Sequence, residues 1–209
     1  MTVNYRDTLN LPDTDFSMKA GLPRKEPEIL DLWSKQDLYA KIRKKYENKE
    51  LFLLHDGPPY ANGDIHLGHS VNKILKDITI KYKTLSGFDA PYVPGWDCHG
   101  LPIELNVEKK HGKNSELVKN KESFQKACKE YAETQINKQL DDFKRLGVFG
   151  DWENSYKSLD PKFEADIVRS LGIIYKEGHL EKGEKPVHWC QDCGSSLSLI
   201  HISEPTRPS

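Results

Sequence analysis

The 209-residue sequence predicts an α/β fold built on a parallel strand–helix–strand unit, and three stretches carry that prediction. Leu51 to Leu54 are apolar residues without a helical period, closed off by Gly57, Pro58 and Pro59, which is the pattern of a short buried strand. From His66 the period changes: Val71, Ile74, Leu75, Ile78, Tyr82 and Leu85 recur at three- and four-residue steps and put one apolar face on a helix that stops near Gly87. Ala90 to Val93 reads as a second buried strand. Strand, loop, helix and strand in this length form a βαβ unit, whose crossover is expected to be right-handed in a parallel sheet.

The remaining elements follow in chain order. Asn10 to Leu22 is polar and turn-rich, which predicts an arm laid over the surface. From Glu26, with Pro27 in a first turn, Ile29, Leu30, Trp33, Leu38, Ile42 and Tyr46 predict one helix. It ends in the basic run Lys41 to Lys45, a solvated end that the helix dipole favours. After Glu104 the chain is charged through Lys121; then Phe124, Cys128, Tyr131, Leu140, Phe143 and Leu146 lie at helical spacing up to Gly147, with Cys128 as a small core residue. Asp160 and Pro161 form a cap and first-turn pair for a helix through Ile167, Val168, Leu171, Ile174 and Tyr175 to Gly178. Short strand-like pieces around Leu180 and Val187 lead to a CxxC, Cys190 and Cys193.

An apolar fraction of 36% and a charged fraction of 30% describe a polar globular protein. No run approaches the about 18 apolar residues that span a bilayer, and Met1 to Asn10 lacks a signal-peptide layout, so a cytoplasmic protein without a membrane partner is expected. Lys and Arg number 31 against 32 acids, which leaves no overall electrostatic footprint for nucleic acid; such contacts must come from local patches or from residues outside this chain. Four cysteines, two of them in the CxxC, do not make a secreted disulfide framework.

Chemistry in a βαβ unit is expected at the carboxyl end of the first strand and the amino end of the helix. His66 and His69 share one side of the first helical turn, near the positive end of the dipole, and so suit a phosphate. Gly68 between them has no Cβ, so a flat ring or a ribose could lie on the backbone there. Charge on a pentacoordinate phosphorus would meet two ring N–H donors and free backbone N–H groups. Two plainer readings stand beside this one, a structural helix start or an i, i+3 metal pair, although the latter lacks a third ligand and any H-E-x-x-H pattern. Asp97, between Gly95 and Gly100, either caps a helix beginning near Leu101 or meets a ligand ammonium. Trp96 and Tyr60 either wall a pocket or pack as core. Cys190 and Cys193, followed by Gly194, have the form of half a zinc site, with His188 and His201 as further candidates by residue type.

PYANGDIHLGH, Pro59 to His69, resembles the "HIGH" region of the class I aminoacyl-tRNA synthetases, and PPYANG resembles their isoleucyl members in particular. GWDCHGLPIE, Gly95 to Glu104, is similar to the second active-site segment of the same family, and the likeness runs from Asn10 to Cys193. The resemblance implies the first half of a Rossmann-like parallel-sheet nucleotide-binding catalytic domain with added helices, cut off at the start of the editing insertion. It divides the chain into an arm and helix over 1–48, the half-domain over 49–178, and the start of the connective insertion with its CxxC knuckle over 179–194. Residues 195–209 depart from the family pattern and are expected to be a non-native tail.

The implied activity is ATP-dependent activation of isoleucine and its transfer to tRNA. By the resemblance, His66 and His69 are catalytic and bind ATP together with Gly68. Pro58, Tyr60, Trp96 and Asp97 hold isoleucine, with Asp97 on the α-amino group and the Pro58 carbonyl as second acceptor. His99 matches a further active-site position to which no role is assigned. The implied partners are isoleucine, ATP with magnesium, and an isoleucine tRNA held mainly by regions outside this chain, in a monomer. Zinc on Cys190 and Cys193 would take its other ligands from beyond the chain. No KMSKS-type lysine loop occurs in these residues, so the chain alone is expected to be inactive. The alternatives are another HxGH nucleotidyltransferase and a non-catalytic, zinc-linked nucleotide-binding module.

Overall fold

The computed structural model describes residues 9, 19–184, 186–191 and 195–196. Most of the arm expected over Asn10 to Leu22, together with Cys193 and residues 197–209, lies outside the described residues. The chain falls into two units divided between Phe163 and Glu164.

In the first unit an extended segment, residues 89–98, has a parallel neighbour on each side. Its strand β1 (Gly95–Trp96) pairs with β2 (Tyr156–Lys157), and Tyr156 and Ser158 donate to the Pro94 and Trp96 carbonyls at 3.1 and 3.0 Å. On the other side lie isolated parallel bridges, Leu51 to Asp89 and Tyr60 to Asp97. The parallel arrangement is as expected, but regular strands at Leu51–Leu54 and Ala90–Val93 do not form. Pro58, Pro59, Pro91 and Pro94 have no N–H to donate, so the ladder survives only in pieces between them.

The helices α1 (Leu22–Lys35) and α2 (Leu38–Tyr46) replace the single helix predicted from Glu26. Asp37 breaks them apart with φ 48°, a left-handed conformation that no helix interior holds. Pro27 falls inside α1, because Pro23 opens the helix one turn earlier. Trp33 meets Phe149 edge-on at 4.9 Å and packs this pair of helices onto the unit.

The helix α3 (Leu67–Leu85) links the first extended segment to the middle one, within a residue or two of its predicted limits. The apolar face read from its period meets solvent. Val71, Ile74, Leu75, Ile78, Tyr82 and Leu85 are exposed, and the buried face carries Lys73, Asp77, Ile80 and Thr84. That polar face is tolerable because it is paired: Lys73 with Asp56, and Asp77 with Lys81 and the Phe149 N–H at 2.6 and 2.9 Å.

Beyond the middle segment come α4 (Leu101–His111), α5 (Glu116–Lys119) and α6 (Lys121–Arg145), the last capped by Asn120, which accepts the Ser123 N–H at 3.0 Å. On α6, Ala132, Ile136 and Phe143 face inward at steps of four and seven residues and form the main core with Ala61, Trp96, Cys98, Ile103 and Leu159. Cys128 packs partly buried against it, and burial pushes its thiol up from the ordinary value. A second cluster joins Ile80, Ala90, Tyr92 and Val148.

The helix α7 (Pro161–Lys176) runs across the division between the units and buries none of its residues. In the second unit β3 (Trp189–Cys190) pairs antiparallel with β4 (Ser195–Ser196), while residues 179–184 form no regular element, so the strand expected around Leu180 is absent. No helix among the described residues is long and apolar enough to cross a membrane.

Gly95 is a glycine by necessity. It faces Tyr156 in register, and a Cβ there would fall inside the tyrosine ring. Without one, Tyr156 lies across the middle segment and donates its hydroxyl to the Asp56 carbonyl at 3.1 Å, so that all three extended segments are joined. Gly95→Ala is expected to displace that ring and destabilise the chain by about 1–3 kcal/mol, the usual cost of overpacking. Urea unfolding followed by tryptophan fluorescence measures this; an unchanged midpoint would contradict the observed register.

Candidate functional site

At the amino end of α3 the backbone turns from extended to helical at His66, with φ −119° and ψ 173°. The first turn of a helix has N–H groups without intrahelical partners. Here the side chains of the two histidines provide two acceptors: His66 Nδ1 accepts the Gly68 N–H at 3.1 Å, and His69 Nδ1 accepts the His66 N–H at 3.4 Å. The arrangement is a capping box made of imidazoles. The rings stack with centroids 3.9 Å apart and planes 22° apart.

Two consequences follow. A neutral imidazole whose Nδ1 accepts a hydrogen bond carries its proton on Nε2, so each ring presents an Nε2–H donor on the side away from the helix backbone. Burial, and then the charges of His66 and Lys73, hold His69 below its ordinary value of 6.5. His69 is therefore neutral at pH 7. Its folded-state value lies below the unfolded one, so its contribution to stability is complete above about 6.5 and is lost as pH falls through the folded value.

Gly68 also serves the capping turn itself. A Cβ on it would lie 2.9 Å from Cε1 and 3.0 Å from Nδ1 of His66, so the missing side chain makes room for the capping ring itself. The Gly68 N–H, expected to be free for a ligand, is likewise taken by His66. His66 and His69 share one side of the turn, as predicted.

Facing this turn is the loop that follows the first extended segment. Gly57, Pro58, Pro59 and Tyr60 form one wall, His66, Gly68, His69, Asn72 and Lys73 the other, of a cleft of 340 Å³. Below the cleft the Asp56 carboxylate is buried. It receives Lys73 at 2.5 Å, Lys76, and the Tyr92 hydroxyl at 2.8 Å, while Lys73 also donates to the Tyr92 oxygen at 2.7 Å. Burial, then the Asp56 charge, pushes the Tyr92 phenol well above its ordinary range. Burial lowers the Lys73 ammonium from its ordinary value, and Asp56 opposes that shift.

The second predicted segment adjoins the first wall. The Asp97 N–H donates to the Pro59 carbonyl at 2.9 Å and the Ala61 N–H to the Asp97 carbonyl at 2.7 Å. The Asp97 carboxylate is exposed, with Ser158 Oγ 3.5 Å away, and it does not cap α4, whose N-cap is Gly100 without a side-chain bond. Tyr60 is half-buried. Its hydroxyl has no hydrogen-bond partner among the described residues, and burial, with Asp97 and Glu104 nearby, pushes the phenol up to about 12.

Trp96 is 0% exposed and sits in the core. Its indole N–H is held by Gln139 Oε1 at 3.0 Å, and the Gln139 amide donates to the Tyr60 and Gly63 carbonyls at 3.0 and 2.9 Å. His99 Nε2 lies 3.0 Å from the Ser158 carbonyl oxygen.

Pro58, Tyr60, His66, Gly68 and His69 thus meet at one cleft, with Asp97 hydrogen-bonded to its wall and Trp96 packed in the core. Cys190 belongs to the second unit, and Cys193 lies outside the described residues. Among the described residues no group of three His, Cys, Asp or Glu stands together to hold a metal, so neither the two histidines nor Cys190 form a metal centre there. Sequence reasoning missed Asp56, Lys73, Tyr92 and Gln139. The available signals were the placement of Asp56 just before the Gly-Pro-Pro loop and of Lys73 one turn beyond His69 on the same helix face.

The chain is 58% identical over 207 residues to an isoleucine–tRNA ligase of Nitrosococcus oceani, covering 98% of this chain and 22% of that protein. It is 62% identical to that of Methylococcus capsulatus and 60% identical to that of Francisella tularensis subsp. mediasiatica, covering 99% of this chain and 22% of each relative. The chain spans about a fifth of the length of the curated relatives it matches. Its fold superposes on LeuRS of Agrobacterium radiobacter K84 (agnB2), solved as a ternary complex with tRNA and LeuAMS, with a TM-score of 0.64 and 18% identity over 86% of this chain and 21% of that one. The family description "tRNA synthetases class I (I, L, M and V)" matches residues 28–206, and the chain belongs to that family.

Proposed function

We propose that this chain supplies the adenylate-forming cleft of an isoleucine–tRNA ligase. A carboxylate oxygen of isoleucine attacks the α-phosphorus of ATP, the bond to the β-phosphate oxygen breaks, and pyrophosphate leaves. The acyl group then passes to a hydroxyl of the terminal tRNA ribose with release of AMP. The observation that carries the reading is the reciprocal cap of His66 and His69. It leaves two ring N–H donors fixed before substrate arrives, at a cleft of a size to take phosphate groups. Donors aimed where negative charge grows on phosphorus need no reorganisation during the step. ATP brings magnesium with it as part of the substrate.

Isoleucine fits the adjoining side. Asp97 would take the α-ammonium, the Pro58 carbonyl would be its second acceptor, and the unpartnered Tyr60 hydroxyl would face the same group. Trp96 would serve from beneath, through Gln139, by fixing the loop that carries Tyr60. In domain terms we read residues 1–48 as arm and helices and 49–178 as the first half of a Rossmann-like catalytic domain. Residues 179–194 would open the connective insertion that carries editing. The solvent-facing apolar stripe of α3 supports the view that further chain packs on this half. The ligase is read as a cytoplasmic monomer whose tRNA contacts lie mainly outside this segment.

In the full-length ligase, His66→Ala or His69→Ala should each raise the barrier to adenylate formation by about 2–4 kcal/mol, the usual worth of one preorganised donor. Isoleucine-dependent ATP–pyrophosphate exchange measures this, and wild-type turnover in both variants would sink the assignment. Asp97→Asn should instead weaken isoleucine by about 1.5–3 kcal/mol, the value of a charged hydrogen bond, with little change for ATP. An unaltered KM for isoleucine in the folded variant would remove Asp97 from the pocket.

A further inference from the structure

Asp56 is the last residue before the Gly57–Tyr60 wall, and Lys73 stands one turn beyond His69 in the opposite wall. Their side chains are 0% and 3% exposed, and Tyr92, from the middle extended segment, bonds to both. Stability alone does not call for such a cluster, since well-packed apolar residues often replace a buried ion pair at no loss. What an ion pair adds is direction. A carboxylate that accepts from Lys73, Lys76 and Tyr92 has one geometry in which all of these bonds are made. That geometry sets how far the loop stands from the helix.

We propose that Lys73 is a positioning residue of this cleft: clamped by Asp56 and Tyr92, it fixes the Gly57–Tyr60 wall at a set distance from the turn that carries His66 and His69. The inference rests on the adenylation reading above and deepens it. Lys73 does not touch substrate, because its ammonium is buried and bonded to Asp56 and Tyr92. Its effect is on placement, and a misplacement of about 1 Å costs on the order of 100-fold in rate.

The test is the double variant Lys73→Met with Asp56→Asn in the full-length ligase, which deletes the buried Lys73–Asp56 pair, strands no carboxylate, and leaves the partly exposed Lys76 an amide oxygen to bond. Expected are a retained cooperative thermal transition, a kcat for ATP–pyrophosphate exchange lower on the order of 100-fold per active site, and a KM for ATP within about three-fold. A kcat per folded site within about two-fold of wild type would overturn the proposal. If the double variant does not fold, Tyr92→Phe makes the same comparison: it removes two clamp bonds, to Asp56 and from Lys73, and should lower kcat with KM unchanged, and an unchanged kcat overturns the idea. His66→Ala and His69→Ala run alongside separate the two readings. If they keep full exchange, the adenylation reading itself fails; if they lose it while the Lys73 variants keep it, only the role of Lys73 is lost.

Discussion

A single buried carboxylate, that of Asp56, holds the first unit in register. It ends the first extended segment, takes Lys73 and Lys76 from α3, and takes Tyr92 from the middle segment. The carbonyl of the same residue accepts Tyr156 from β2. With the parallel ladder interrupted by prolines, these bonds replace much of the backbone pairing that would otherwise align the segments. Deleting one member of such a cluster strands a charge in a dry site, at a cost of about 3–5 kcal/mol. The same bonds place the Gly-Pro-Pro loop and the start of α3 opposite each other, so the fold's main polar contact is also what opens the cleft.

The chemistry proposed for the cleft depends on a local economy at the helix start. An imidazole can cap a helix or donate to an anion, and here each ring caps through Nδ1, which leaves Nε2 for the donor role proposed above. Nδ1 satisfies a backbone N–H, and the proton is left on Nε2. Stacking at 3.9 Å discourages charging of both rings together, and the depressed titration of His69 acts in the same direction. The site therefore sets two imidazole donors side by side, with the nearby Lys73 ammonium already paired.

Much of this was legible in the sequence, and what was not has physical causes. The helix from His66, the helix ending at Gly147 and the parallel relation of the segments around it follow from periodicity and turn residues. Periodicity tells which residues share a face but not what that face meets, so the apolar stripe of α3 was legible while its exposure was not. A lysine in a helix is ordinarily solvated, so the burial of Lys73 against a residue 17 positions away left no trace in the local pattern. Asp37 breaks α1 from α2 without a glycine or proline to announce it. Gly68 was correctly singled out, but the neighbour that requires it is the His66 ring rather than a ligand.

The central claim is that reciprocal capping fixes both imidazoles as Nε2–H donors before any substrate binds. Long-range 1H–15N correlation spectra of the histidine rings, recorded across a pH titration of the ligand-free protein, test it directly. The account predicts that His66 and His69 both show the Nε2–H form at neutral pH, with His69 titrating below about 6.5. An Nδ1–H form in either ring, or a His69 that titrates above that value, would contradict it.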